Sequence, residues 1–338
     1  MTDAVVGGTA THGQGDMGAD QRSEVVVRPA TEADDRAVVQ LLSSGLGWGS
    51  DDRSADFFRW KHRANPFGKS WAWVAVDKNR VVAYRSFMPW EFESREGPVR
   101  RAARAVDTVV DADHRRQGLF RRLTLLGIEE LTSSGVEFVF NTPNDNSRPG
   151  YLAMGWSVAG RVPVAVKAAG LSALRRGSAA ISPQWSAPTG VGLPAPQALS
   201  GEAGHTLARR RLSDAAATRL TAEVLRWRVA FPALHYRFMP VTRDPSEGGL
   251  VFRLRRRGTG LVAVVIESLG LSRRLAGKLM ACVVRQTRAD YAIVGRNSRV
   301  GGALPLAGRG PVVTLRSLAT EPPTADSLAL TMGDAELF

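Results

Sequence analysis

Residues 107–126 read DTVVDADHRRQGLFRRLTLL. Thr108, Val109 and Val110 form a short apolar run that stops at Asp111, a basic turn with one glycine follows, and from Leu119 apolar residues recur at helical spacing. The pattern predicts strand, turn, helix. The first N–H groups of a helix lack intrahelical acceptors and sit at the positive end of its dipole, so such a turn suits a polyphosphate. Gly118 lets the backbone approach an anion closely, and the surrounding arginines add charge. The competing reading is a surface helix that merely begins with basic residues.

The remaining sequence sets the context. With 338 residues the chain has room for two domains with ordinary cores, and 44% hydrophobic with 23% charged residues is the composition of a soluble globular protein. No apolar run approaches the roughly 20 residues of a membrane span. Residues 1–24 have no basic segment leading into an apolar one, which argues against a secretion signal, and they are expected to be a mobile tail. Cys282 is the single cysteine, so an internal disulfide and a cysteine-based metal site are excluded and a cytoplasmic setting is favoured. Its apolar helical surroundings place it in the core. The net charge of +13 attracts anions: nucleic acid, a phosphorylated cofactor or an acidic substrate. Only five of the 45 basic residues are lysine, and they are scattered without aromatic interleaving, which argues against nucleic acid.

Read in order, the chain begins with a strand at Val25, Val26 and Val27, followed by a helix capped by Thr31 and a second helix, SADFFRWKHR, that ends at Asn65 and Pro66. Strands are expected at 71–76 and 81–87 as a hairpin, at 90–93, and at 103–110. After the helix of the opening stretch, Gly135 precedes a strand at 137–140, an Asn-rich loop, a short helix around Tyr151 and a last strand at 163–167. Residues 168–205 are rich in Ala, Gly, Ser and Pro and read as a linker or irregular insertion. The large aromatics Phe57 and Trp60 read as core before they read as substrate contacts.

The second half repeats the first. RWKHRANP at 59–66 is echoed by RWRVAFP at 226–232, NSRPG at 146–150 by NSRVG at 297–301, and RVPVAVK at 161–167 by RGPVVTLR at 309–316. Three matches in the same order imply two copies of one unit, at 25–167 and 206–338. Where the first copy has its glycine turn, the second has VVIESLGLSRRLAGKLM with no glycine at that place. The second copy is expected to be degenerate.

These residues resemble the GNAT superfamily of acyl-CoA-dependent N-acyltransferases. Its turn pattern is Arg or Gln, two residues, Gly, one residue, then Gly or Ala; Arg115 and Gly118 match, and Phe120 departs from it. The resemblance implies an α/β fold of the α+β type, a mixed, mostly antiparallel sheet flanked by helices, present twice in tandem. It implies acetyl-CoA as acyl donor and a small-molecule amine, an amino sugar or natural product, as acceptor. The expected cofactor contacts are Thr108, Val109 and Val110 on the strand, Arg115, Arg116, Gln117, Gly118, Leu119, Phe120 and Arg121 at the turn, and Asn141 and Asn146 beyond it, with backbone groups at 108–111 and 138–141 left free for the pantetheine arm. No metal is implied.

Tyr151 falls where the family often has the acid that protonates the departing thiolate, and a phenol of ordinary pKa about 10 suits that role. It could equally pack its ring under the short helix. Asp107 is the nearest carboxylate for a base, acting directly or through water, or else is a buried partner of an arginine. Glu91 and Glu93 are weaker candidates, and His62 reads as structural. Asn141 and Asn146 either bond the cofactor or cap turns. Two other functions fit the residues: a CoA-binding or sensory protein without catalysis, motivated by Phe120, and a basic nucleic-acid-binding module.

Overall fold

The computed structural model describes residues 25–49, 51–170, 185–209, 212–319, 323–324 and 327–335. The expected tail at 1–24 and residues 171–184 of the expected linker lie outside them. The first half runs β1 (Val26–Pro29), α1 (Asp35–Leu46), α2 (Asp52–His62), β2 (Trp71–Asp77), β3 (Arg80–Glu93), β4 (Arg100–Val110), α3 (Leu119–Ser133), β5 (Phe138–Asn141), α4 (Arg148–Ala153), β6 (Ser157–Arg161) and β7 (Val164–Ala168). The second runs β8 (Leu193–Pro194), α5 (Ala195–Ala198), α6 (Gly201–Ala208), β9 (Ala217–Thr218), α7 (Ala222–Ala230), β10 (Arg237–Pro240), β11 (Gly249–Arg257), β12 (Gly260–Leu269), α8 (Arg273–Thr287), β13 (Tyr291–Gly295), β14 (Leu304–Leu306), β15 (Val312–Ser317) and α9 (Met332–Ala335).

Local chemistry accounts for the helix boundaries. Ahead of α1, Asp34 accepts from the Thr31 backbone N–H at 2.7 Å and pairs with Arg28 at 2.7 Å. Gly47, at φ 71°, ends that helix. The Asp51 carboxylate caps α2, and Arg59, Lys61 and His62 crowd its last turn, where carbonyls favour positive charge. The expected strands at 81–87 and 90–93 are one continuous strand, β3. Pro89 does not interrupt it because β2 pairs only as far as Phe87, so no neighbour on that side asks for its N–H. The expected linker is structured where described, carrying β8, α5 and α6. Cys282 is half-buried, since the face of α8 that enters the core is Ala276, Met280, Val283 and Val284.

Two sheets result, in the orders β1-β2-β3-β4-β5-β15-β6, with β9 added to β3, and β14-β7-β13-β12-β11-β10-β8. Each is mostly antiparallel, with one parallel pair joined by a crossover helix: β4 with β5 through α3, and β12 with β13 through α8. The halves exchange strands. β7 lies between β13 and β14 in the second sheet, with Val294 opposite Ala165 and Leu304 opposite Val166. In return β15 lies between β5 and β6, with Thr314 opposite both Asn141 and Val158. A division of the chain at 168–205 therefore separates neither sheet from the other. The crossing is tight: Val162 N–H bonds Pro311 O at 2.9 Å, and a Cβ at Gly310 would stand 1.7 Å from Val162 O. Only glycine fits there.

The central core between the sheets is built jointly by both halves, from Phe57, Trp60, Trp90 and Phe140 with Leu225, Trp227, Phe238 and Val264. Phe57 and Trp60 are thus core residues. A second cluster lies under α3, where Gly127 passes so close to Phe87 that a Cβ would stand 2.5 Å from its ring. A third lies under α8.

Candidate active site

The register between β4 and β5 ends at Arg104 opposite Phe140, while β4 continues beside β3 to Val110. The two strands part beyond that point, and a cleft of about 990 Å³ opens there. Of the residues named from sequence, Asp107, Thr108, Val109, Val110, Phe120, Asn141, Asn146 and Tyr151 line it. The expected free backbone at 138–141 is narrower than anticipated: Phe138, Val139 and Phe140 pair with β4 on one side and with Ser317, Arg316 and Leu315 of β15 on the other. Only the β4 side of Asn141 opens on the gap. The Asn141 side chain accepts a hydrogen bond from Thr314 Oγ1, and Asn144, not Asn146, caps the following turn by accepting from Ser147 N–H at 2.9 Å.

Arg115, Arg116, Gln117, Gly118 and Arg121 do not line the cleft; they form the turn at its outer end. Gly118 is the N-cap of α3 at φ 75°, and no side chain caps the helix. Arg116 is also left-handed, at φ 64°. The first N–H groups of α3 therefore face outward in a cradle with two exposed arginines, which suits an anion. Leu119 is buried in the core beneath α3, so its backbone N–H, not its side chain, serves the turn. His114 holds the preceding loop to the sheet, 2.9 Å from Asp77 and 3.2 Å from Asp111. Its hydrogen bond to Asp77 raises its pKa above the usual imidazole range, with Asp111 adding to the effect against slight burial. Phe120 turns from the backbone cradle toward α4, edge-on to Tyr151 at 5.4 Å. Gly150 makes room for it, since a Cβ there would stand 2.8 Å from the ring.

Asp107 sits on a β-bulge. The register steps from Tyr84–Val109 to Ser86–Val106, so Arg85 stands opposite both Asp107 and Thr108, and Asp107 takes φ 43°. The bulge turns the carboxylate onto the end of α2, where Lys61 Nζ lies 2.8 Å and His62 Nε2 2.8 Å from Oδ2. Its partners are therefore a lysine and a histidine, not an arginine. Burial alone would raise the Asp107 carboxyl, but the Lys61 charge and the His62 hydrogen bond pull it well below the carboxylate range. Burial pushes both Lys61 and His62 down, against the pull of Asp107. Neutral His62 then donates from Nε2 to Asp107 and accepts at Nδ1 from the Ser70 hydroxyl, 2.9 Å away. Glu91, on the same sheet, is paired with Arg219 at 2.8 Å, away from the cleft.

Tyr151 presents its hydroxyl at the cleft wall. Fully buried Arg85 donates from Nη1 to Tyr151 Oη at 2.6 Å and to Thr108 Oγ1, with its guanidinium 4.3 Å above the Phe87 ring. Since Arg85 donates to the phenol oxygen, the Tyr151 hydrogen is left to point elsewhere.

Residues 26–159 match the family model described as an acetyltransferase (GNAT) domain. The chain carries a GNAT domain. No curated protein matches the sequence. Among solved structures, a GCN5-related N-acetyltransferase from Anabaena variabilis is similar at 12% identity and TM-score 0.60, over 87% of this chain and 73% of that one. A probable N-acyltransferase from Enterococcus faecalis follows at 10%, TM-score 0.59, 88% and 73%. Eis1 from Mycobacterium abscessus follows at 13%, TM-score 0.55, 88% and 74%. At these identities the likeness is one of fold, and it spans both sheets.

Within the GNAT domain, sequence reasoning missed Arg85, Lys61 and Arg104. Each carried one signal: a cation inside an otherwise apolar strand or at the buried end of an aromatic helix, which must find a partner. The counterpart helix in the second unit is closed, because the Ser272 side chain accepts from Leu275 N–H at its first turn. No group of His, Cys, Asp and Glu among the described residues is arranged to hold a metal ion, and no described helix is long and apolar enough to cross a membrane.

Proposed function

We propose that the GNAT domain transfers an acetyl group from acetyl-CoA to a primary amine of a small molecule, with the second unit closing the acceptor side of the cleft. One observation carries this reading: the gap between β4 and β5 leads to an uncapped helix start with a left-handed glycine, and only the first unit has both. The β4 edge at Thr108, Val109 and Val110 offers backbone groups to an extended amide-containing arm. Arg115, Arg116 and the N–H groups from Gly118 to Arg121 would hold the pyrophosphate.

The thioester supplies the activated carbonyl that the amine attacks. Tyr151, steadied by Arg85, donates a proton to the departing sulfur. Asp107, held in place by Lys61 and His62, receives the amine's proton directly or through a water. Isothermal titration with acetyl-CoA, followed by thiol release over a panel of amines, tests the reading. Micromolar binding with acceptor-dependent release is expected. Absent binding rejects it, and tight binding with no release on any amine makes the chain a CoA-binding protein without catalysis.

A further inference from the structure

The cleft is cationic. Its lining includes Lys61, Arg104, Arg255, Arg257 and Arg309, and its one acidic side chain, Asp107, is already held by Lys61 and His62. Arg104 stands where β4 and β5 part, at the inner end of the gap and away from the phosphate turn. It is 4% exposed. Its Nη2 donates to Ala335 O at 3.1 Å and Thr142 Oγ1 at 3.3 Å, and its guanidinium lies 5.7 Å from the centre of the Phe140 ring. Among the described residues Nε and Nη1 have no hydrogen-bond partner and no carboxylate is in ion-pair contact with Arg104; Asp334 and Asp107 act on it only through longer-range attraction. A buried guanidinium with two unused donors is costly, and its planar fork matches a carboxylate or phosphate.

Resting on the transferase reading above, we propose that the acceptor is an amine that also carries an anionic group, a carboxylate or a phosphate, and that Arg104 binds that group while Lys61 and Asp107 face the amine. Arg255 and Arg309, from the second unit, add positive charge around it. This charge pattern opposes a polycationic amine and makes the second unit part of acceptor selection.

Matched pairs test the assignment by isothermal titration of the full chain. An ω-amino acid is compared with its primary amide, an aminoalkyl phosphate with the corresponding amino alcohol, and spermine serves as the polycation. The anionic member of at least one pair should bind roughly tenfold or more tightly than its neutral partner. Which pair shows the preference separates carboxylate from phosphate. Spermine should bind worst. The preference should collapse in Arg104→Gln and survive in part in Arg104→Lys; if Arg104→Gln does not fold, the wild-type pairs still decide. Equal binding within both pairs, tightest binding by spermine, or an undiminished preference in folded Arg104→Gln would overturn the assignment. So would tighter binding of succinyl-CoA than acetyl-CoA that Arg104→Gln abolishes, since the anion would then belong to the acyl chain. Acetyl-CoA affinity in the same samples judges the transferase reading separately: retained affinity without anion preference rejects only the Arg104 assignment, and anion preference without acetyl-CoA affinity rejects only the transferase reading.

Discussion

The indole N–H of Trp60 donates to the backbone carbonyl of Trp227 at 2.8 Å, and Trp227 returns the same bond to the carbonyl of Trp60 at 2.9 Å. Their rings stack at 5.1 Å and 21°. The two residues hold equivalent places in RWKH and RWRV, so the repeated units meet through the same residue used twice, about a local two-fold relationship.

Because each indole satisfies a buried carbonyl as well as filling the core, replacing either tryptophan with alanine should cost about 3–5 kcal/mol in urea unfolding. The double replacement should cost less than the sum, because the second loss finds the pair already broken. Strict additivity would show that the two rings contribute independently.

Gly118 tests the phosphate turn through its backbone alone. A Cβ there meets nothing within 4 Å, so substitution acts only through the φ of 75°. Gly118→Val should weaken acetyl-CoA binding by roughly tenfold, the equivalent of about 1–2 kcal/mol of left-handed strain, whereas Gly118→Asn should nearly match the wild type. Equal affinity of all three would show that the turn is only a helix start.

Tyr151→Phe keeps the ring contacts with Phe120 and Trp156 and removes the hydroxyl that Arg85 holds. The turnover number should fall by about 10²-fold or more while acetyl-CoA affinity stays the same. An unchanged rate would leave Tyr151 a packing residue.

His114 predicts a pH dependence. Its folded pKa is raised by Asp77 and Asp111, so the stability it contributes is fully present below the unfolded value of about 6.5 and is lost as pH rises through the folded value. Thermal unfolding of His114→Gln should show a smaller loss of stability across that window than the wild type. Identical slopes would locate the dependence elsewhere.

Much of the molecule was legible in sequence because the signals are local. The left-handed glycine, the uncapped helix start and the strand leading to it depend on a few consecutive residues. The short helix that carries Tyr151 was legible for the same reason, since it follows a loop whose asparagines and proline announce a turn. The partners of Asp107 were not. They lie at the end of α2, more than forty residues earlier, and only the bulge at Arg85 aims the carboxylate at them. Phe120 departs from the turn pattern, and its accommodation depends on Gly150, thirty residues on, which makes room for the ring.

The sequence by itself pointed to one unit present twice, to a mixed sheet with a single crossover helix in each, and to a glycine at the helix start in the first alone. Periodicity and repeated motifs carry that information within each segment. Only the tertiary structure decided where β7 and β15 pair. Both are short apolar strands that would satisfy an edge in either sheet, and strand alternation says which face is buried but not which partner is adjacent. The close passage of Gly310 past Val162 takes them across, and the exchange brings the second unit's arginines to the cleft that the first unit opens.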